Sequence, residues 1–315
     1  MAGRDADDGS RVSHFGANVT APIALFVYNR PTHTRETAEA LRANHLAVDS
    51  DLFIYSDAPK NESASESVQE VREYVKTIAG FKSVTIVERE NNWGVDPSII
   101  DGVSELCERF GRVIVLEDDL VTSPWFLTYM NRGLDNYRDE ARVMQISGFM
   151  FPIEGFDPAA ACFLTYSTCW GWGTWQRAWT QLDREAKGHA QLSTDKRKRW
   201  AFDVNGAYDY FDLLDRYVQR KTDAWDIRWY LTVFQRDGVA LFPHKSLVNN
   251  IGFDGSGVHC EASDLIINEL AKAEITTYPP VIKSTAVWRA VEKYLYGMKT
   301  RSFKSTVKRL LRVGR

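Results

Sequence analysis

The stretch RVIVLEDDLVTSP, residues 112–124, joins an aliphatic run to a group of acids. The residues 113–116 are all aliphatic and are directly followed by Glu117, Asp118 and Asp119. Such a run is too short to span a membrane and is typical of a strand buried in a parallel sheet. Three adjacent carboxylates repel one another and are costly to desolvate, so the stretch predicts a positive charge among them.

The segments before this stretch alternate between strand and helix patterns. Alternation with helices of 10 to 15 residues predicts an α/β fold, in which a mostly parallel sheet carries helices on both faces. A Gly-rich phosphate loop opens none of these helices, which disfavours simple dehydrogenase and P-loop folds. The predicted strands are 21–31, 51–59, 83–94 and 112–119, and the predicted helices are 32–46, 67–81 and 98–111.

The composition of the chain is that of an ordinary globular protein. Its 315 residues are 44% hydrophobic and 26% charged, which is close to the average for such proteins. The first 20 residues contain no apolar core of a signal peptide and are predicted to be a disordered leader. The four cysteines lack metal-ligand spacing and are predicted to be buried thiols in a reducing compartment. They are Cys107, Cys162, Cys169 and Cys260.

The C-terminal segment carries most of the positive charge. Residues 283–315 contain ten Lys and Arg against one acid, Glu292, and because the whole chain carries −3 the remainder carries −12. Val287, Val291 and Met298 recur at helical spacing, so we expect a basic amphipathic helix that binds an anionic membrane surface. The alternative is a helix that packs on the body. Nucleic acid is disfavoured because the body is acidic.

Polar side chains stand at the predicted carboxyl ends of the strands, where open α/β sheets bind ligands. Arg30, Asp57 and Asn92 join the three acids there. This mixture suits a phosphate-bearing ligand chelated by a hard divalent cation. If the strand continues through its acids, Glu117 and Asp119 project together and Asp118 projects away. The alternative is that the acids are solvated loop charges or cap the next helix.

Six short segments, in this order, resemble one enzyme family. The segments are FVYNRP, IYSDAP, VLEDDL, WGWGTW, AWDIRW and GFDGSGVHC, within residues 21–260. Together they resemble GT-A fold glycosyltransferases, in particular the N-acetylglucosaminyltransferase I type and its bacterial relatives. The resemblance implies a Rossmann-like sheet that binds a nucleotide-sugar, and inversion at the anomeric carbon.

The resemblance also implies a role for each donor-side residue. Arg30 would contact the nucleotide diphosphate, and Asp57 the base. Asp119 would bind Mn²⁺ or Mg²⁺, Asp118 the ribose and Glu117 the donor sugar.

Further residues complete the implied site. Asn92, Ser256 and His259 would contact the donor, the last two from a late loop over the diphosphate. Asp226 would be the catalytic base; its alternative is a surface acid paired with Arg228 or Lys221. The implied acceptor contacts are Trp170, Trp172 and Trp225, although tryptophans beside a sheet mostly belong to its core.

The predicted organisation is a catalytic domain at 21–280 and a basic amphipathic tail at 281–315. Within the domain, 21–120 would bind the nucleotide-sugar and 121–280 the acceptor. We expect a metal-dependent inverting glycosyltransferase with a UDP-linked donor, which extends a lipid-linked glycan in cell-surface polysaccharide or glycolipid assembly. The expected location is cytoplasmic, on the inner face of the plasma membrane. The alternatives are a sugar-phosphate nucleotidylyltransferase, whose usual Gly-rich loop is replaced here by YNRPTHT, and a non-catalytic carbohydrate-binding protein.

Overall fold

The computed structural model describes residues 20–254 and 269–313, with side chains as far as Lys299. Eight strands form one sheet in the order β3-β2-β1-β4-β8-β6-β9-β7, and β5 and β10 form a separate antiparallel pair. The strands are β1 (Ile23–Val27), β2 (Asp51–Ser56), β3 (Ser83–Glu88), β4 (Arg112–Glu117), β5 (Leu120–Thr122), β6 (Val143–Ser147), β7 (Ala161–Leu164), β8 (Trp172–Trp175), β9 (Val239–Pro243) and β10 (Val248–Asn250).

The main sheet is mostly parallel, as predicted. The pairs β2–β3, β1–β2, β1–β4 and β6–β9 are parallel, and β8 is antiparallel to both β4 and β6. Six of the eight strands therefore run in one direction, because only β8 and β7 are reversed. The four strands predicted before Leu120 are confirmed. The tryptophan-rich segment contains an unforeseen strand, β8, which joins the two halves of the sheet.

Helices cover both faces of the sheet. The residues of β1 alternate between two hydrophobic clusters, with Ile23 and Leu25 in one and Ala24 and Phe26 in the other. This alternation is what a strand buried on both sides requires. The helices are α1 (Pro31–Arg42), α2 (Ser65–Val75), α3 (Val95–Phe110), α4 (Phe126–Asn136), α5 (Gln176–Trp179), α6 (Gly188–Thr194), α7 (Lys196–Phe202), α8 (Tyr210–Val218), α9 (Trp225–Gln235) and α10 (Thr285–Val313).

The first half of α10 is part of the body. The apolar stripe predicted to insert into a membrane is used internally here, since Val287, Val291 and Leu295 are each 1% exposed and Trp288 is 6% exposed. They pack in a third hydrophobic cluster, beneath the helices of the acceptor half. The start of the predicted tail, 281–315, therefore packs on the body, which is the alternative that the sequence left open.

The same part of α10 also clamps a strained loop. Val204, Asn205 and Gly206 are consecutive residues with φ of 50°, 55° and 77°, and a β-branched residue in that region is an outlier. The Tyr296 hydroxyl donates to the backbone carbonyl of Asn205 at 2.8 Å, and the side-chain Nδ2 of Asn205 donates to the Glu292 carboxylate at 3.0 Å. These two hydrogen bonds from α10 stabilise a loop conformation that Val204 and Asn205 intrinsically disfavour.

These contacts predict how the C-terminal helix contributes to stability. Leu295→Ala should lower the free energy of unfolding by about 2–5 kcal/mol, as for other buried Leu truncations. Urea denaturation followed by circular dichroism measures the change. Ile282→Ala is the matched control, because Ile282 is 69% exposed.

Truncation tests the same contacts at larger scale. Ending the chain after Pro280 should give an aggregating or unfolded product, whereas ending it after Lys299 should preserve the unfolding midpoint. A stable, monomeric product from the shorter chain would contradict the packing of α10 on the body.

Candidate active site

The carboxyl ends of β1, β2 and β4 meet at one edge of the sheet. Val27 lies opposite Ser56, and Phe26 lies opposite Glu117, so the three strands end in register. The polar residues that follow each strand are consequently brought together, as the sequence predicted.

Arg30 is the positive charge that the acid cluster requires. Its Nη2 atom donates to Asp118 and, at 2.9 Å, to Oδ2 of Asp119. Burial works to lower the pKa of Arg30, but the two carboxylates outweigh it and raise the pKa well above its usual value. The guanidinium is therefore permanently charged and is fixed between two acids.

The three acids do not alternate as an extended strand would. β4 ends at Glu117, and Asp118 and Asp119 form a turn before β5, which lets one guanidinium reach both. The expectation that Asp118 projects away from Asp119 is therefore wrong. Asp118 is 4% exposed and also accepts from the Tyr28 amide at 3.3 Å, which leaves little of it for the ribose contact that the resemblance implies.

Asp226, at the start of α9, approaches the acids from the other half of the chain. Burial raises the pKa of Glu117 well above its usual value, and Asp119, Asp118 and Asp226 add to the shift. Asp226 and the strand-end acids therefore form one electrostatic group. The group contains four carboxyl side chains, and the single positive charge of Arg30 cannot balance all of them.

Cys169 belongs to this group and was not predicted. Its thiol hydrogen-bonds the Asp226 carboxylate; burial, Asp226 and Glu117 together raise the pKa of the thiol well above its usual value. The residue immediately precedes the WGWGTW segment, and it carried no sequence signal beyond that position. Such a thiol stays protonated and acts as a donor to Asp226.

The expected alternative partner of Asp226 is engaged elsewhere. Arg228 is 6% exposed, forms an ion pair with Asp96 at the start of α3, and donates to the Arg184 carbonyl at 3.0 Å. The hydroxyl of Tyr217 donates to the same Asp96 at 3.4 Å. This buried network joins the donor half to α9 and thereby fixes where Asp226 lies.

Asp57 organises a loop. Its two carboxylate oxygens accept from the amides of Ala58 at 2.9 Å, Trp93 at 2.9 Å and Gly94 at 2.8 Å, and from the side chain of Asn92 at 3.0 Å. Four donors fill the roughly four acceptor positions of a carboxylate. The implied contact of Asp57 with a base is therefore not available in this arrangement, and Asn92 acts first as its partner.

Two of the three predicted acceptor tryptophans are in the core. Trp172 is 0% exposed and Trp225 is 4% exposed, and their ring centroids are 5.5 Å apart. Neither has a free face on which a sugar could stack, so both assignments are corrected. Trp170 is only partly buried, between Phe149 at 4.6 Å and Phe253 at 5.4 Å, and it stays a candidate.

The chain crosses directly over the ion pair after β10. The Ile251 amide donates to the Asp119 carbonyl at 2.9 Å. A Cβ on Gly252 would lie 2.3 Å from Oδ2 of Asp119, so a larger residue there would displace the Asp119 carboxylate. Asp254 then pairs with His33 at 3.2 Å. The predicted donor residues that follow, Ser256 and His259, lie outside the described residues.

The donor chemistry of the cluster fits a hard divalent cation. Within residues 20–254 and 269–299, no three acidic, His or Cys side chains form a ready-made metal cage. Mg²⁺ and Mn²⁺ nevertheless bind through one or two carboxylates when substrate phosphates supply the other ligands. Asp119, with Glu117 beside it, offers such oxygens, and the excess negative charge beyond Arg30 favours a cation.

Comparisons with known proteins extend only to fold. No family model matches the sequence, and no curated protein matches it significantly. TarS of S. aureus is 10% identical with a TM-score of 0.37; the match covers 74% of this chain and 37% of TarS. The mannosyltransferase PcManGT from Pyrobaculum calidifontis, in complex with GDP-Man and Mn²⁺, is 10% identical with a TM-score of 0.34. That match covers 68% of this chain and 72% of PcManGT.

The chain spans little more than a third of the length of TarS. At such identities and TM-scores, neither likeness carries an activity to this chain.

The Arg30 bridge predicts a large cost when its charge is removed. Arg30→Gln leaves Asp118 and Asp119 buried without their partner and should lower the free energy of unfolding by about 3–5 kcal/mol. Adding Asp118→Asn should recover part of that loss. Urea denaturation of the single and double variants measures both changes.

Arg42→Gln is the matched control. Arg42 pairs with Glu39 where both side chains are about half exposed (55% and 50%), and such pairs contribute less than about 1 kcal/mol. Equal losses in Arg30→Gln and Arg42→Gln would show that the strand-end acids do not depend on Arg30.

Proposed function

We propose that the protein is a GT-A type glycosyltransferase that transfers a sugar, with inversion, from a nucleotide-sugar to a glycan. The observation that carries the proposal is that Asp226, from the acceptor half, acts on the pKa of Glu117 at the end of β4, so that the two carboxylates belong to one site. A donor held by the strand-end residues would then lie within reach of Asp226. The ordered motif series supports the same function and the N-acetylglucosaminyltransferase I type.

The proposed chemistry assigns one task to each side chain. Asp226 removes the proton from the acceptor hydroxyl as that oxygen attacks the anomeric carbon. The Cys169 thiol, as donor to Asp226, keeps the carboxylate oriented. Arg30 binds the departing diphosphate through Nη1, since both of its bonds to the acids use Nη2. Glu117 faces the donor sugar.

Asp119 would hold the divalent cation. When bound, Mn²⁺ or Mg²⁺ would supply positive charge to the diphosphate leaving group. Trp170 is the tryptophan proposed to contact the acceptor. The donor is proposed to be UDP-linked, and the acceptor to be a lipid-linked glycan on the cytoplasmic face of the membrane.

Two other classes give different results in one assay. A nucleotidylyltransferase would form a nucleotide-sugar from a sugar phosphate and a nucleoside triphosphate. A carbohydrate-binding protein would bind glycans and turn over neither substrate. A screen of nucleotide-sugars for hydrolysis or transfer, with sugar phosphate and nucleoside triphosphate as a parallel arm, separates the three.

Asp226→Asn tests the proposed base. It should lower turnover by roughly 10²- to 10⁴-fold, the usual contribution of general-base catalysis, and leave donor affinity within a few-fold. Calorimetry with the donor and a transfer assay measure the two quantities. Asp223→Asn is the matched control, because Asp223 is an exposed acid three residues earlier. Near wild-type turnover by Asp226→Asn would assign the base elsewhere.

Asp119→Asn tests the proposed cation site. In the wild type, Mn²⁺ with UDP should raise the melting temperature more than either alone, because ligands that bind only the folded state stabilise it. The variant should lose that synergy while keeping its own fold. Differential scanning fluorimetry measures the melting temperatures without an activity assay. UDP is tested first and other nucleoside diphosphates next, each with and without EDTA. Full transfer activity in excess EDTA would refute a metal role.

A further inference from the structure

A second concentration of positive charge lies on the body, at α7. Lys196, Arg197, Lys198 and Arg199 are consecutive and are followed by Trp200, which is 55% exposed. At helical spacing Lys196 and Arg197 share a face with Trp200. Large exposed indole rings are uncommon on a solvated surface, and here one stands beside a row of cations.

Tyr296 of α10 lies next to this ring. A Cβ on Gly206 would be 3.2 Å from Nε1 of Trp200 and 3.4 Å from the hydroxyl oxygen of Tyr296, so the three residues form one patch. Tyr296 is 44% exposed and Tyr208 is 40% exposed. The α7–α10 surface is defined here as Lys196, Arg197, Lys198, Trp200, Tyr208, Tyr296 and Lys299.

The acids near this surface cancel only part of its charge. Asp195 is the N-cap of α7 and accepts from the Arg197 and Lys198 amides, and Asp209 pairs with Lys299 at 2.6 Å. The side chains of Lys196, Arg197 and Lys198 are exposed. In the sequence, residues 300–315 include six Lys and Arg and no acid.

We infer that the α7–α10 surface docks on an anionic lipid bilayer. Trp and Tyr rings favour the boundary between headgroups and acyl chains, where one part of the ring is apolar and another is polar. Lys and Arg beside them are attracted by anionic headgroups. The α7–α10 surface presents exposed aromatic rings together with exposed cations. The apolar stripe of α10 is buried and is not available to a bilayer.

The surface belongs to the same half of the chain as Asp226. The ring centroids of Tyr208 and Tyr210 are 4.4 Å apart, the hydroxyls of Tyr210 and Tyr166 are hydrogen-bonded, and Asp226 acts on the pKa of Tyr166. Docking would therefore bring the acceptor half of the chain to the bilayer. This consequence rests on the proposed function, whereas docking itself does not.

Vesicle co-sedimentation of the full chain tests the docking. With phosphatidylcholine vesicles containing phosphatidylglycerol at low salt, the protein should pellet, and high salt should release it. The triple variant Lys196→Gln, Arg197→Gln, Lys198→Gln should lower the partition coefficient by roughly tenfold or more, since each cation near such a surface contributes severalfold. The triple variant Arg35→Gln, Lys76→Gln, Lys82→Gln removes equal charge from exposed sites in the donor half and should bind as wild type.

Trp200 provides a direct readout of contact. Lipids brominated in their acyl chains should quench part of the tryptophan fluorescence. Trp200→Phe should abolish most of that quenching, whereas Trp93→Phe, at a 42% exposed ring in the donor half, should retain it. Phe110→Ala, at a 40% exposed ring, controls for removing any exposed aromatic in the pelleting assay.

Three outcomes would overturn the inference. The first is no binding to anionic vesicles by the wild type. The second is equal losses in the two triple variants, which would show that only net charge matters. The third is binding to RNA or another soluble polyanion with no vesicle binding, which would assign the surface to that partner. Vesicle binding without any transfer activity would support the docking and refute only the proposed function.

Discussion

The geometry of the strand ends depends on Arg30. A fold that ends a buried strand in three carboxylates has to neutralise them, and Arg30 reaches both Asp118 and Asp119 from the end of the neighbouring strand. This contact ties the turn after β4 to the start of α1, and the chain after β10 crosses over it at Gly252. The same contact leaves Glu117 without a matching cation, so the site retains an excess of negative charge for a cationic ligand.

The acceptor half is positioned by a second buried ion pair. Arg228 and Asp96 connect α9 to α3, and both helices pack with the indoles of Trp172, Trp225 and Trp229 in one hydrophobic cluster. The desolvation cost of burying such a pair is about as large as the attraction between its charges. Its consequence is geometric, since the pair fixes the position of α9, the helix that carries Asp226.

The sequence predicted those parts of the structure that local patterns determine. β1, β2 and β4 were found because strands buried on both faces are continuously apolar, and the strand-end grouping followed from parallel topology. Asp57 and Trp172 have partners that the sequence did not reveal. Whether a carboxylate or an indole is free to meet a ligand depends on partners 35 or more residues away, such as Gly94 and Trp225, which no local pattern reveals. Cys169 was missed for the same reason.

The C-terminal helix shows how far periodicity can be taken. The spacing of Val287, Val291 and Leu295 predicts which face of α10 is buried, but it does not say whether a bilayer or the protein covers that face. In the structure, the body of the protein covers that face. Because the stripe is used internally, any membrane contact must come from groups that folding leaves outside, and Trp200, Tyr208 and Tyr296 are exposed beside the cations of α7. The buried stripe thus positions this surface, because α10 clamps the strained 204–206 loop between Trp200 and Tyr208.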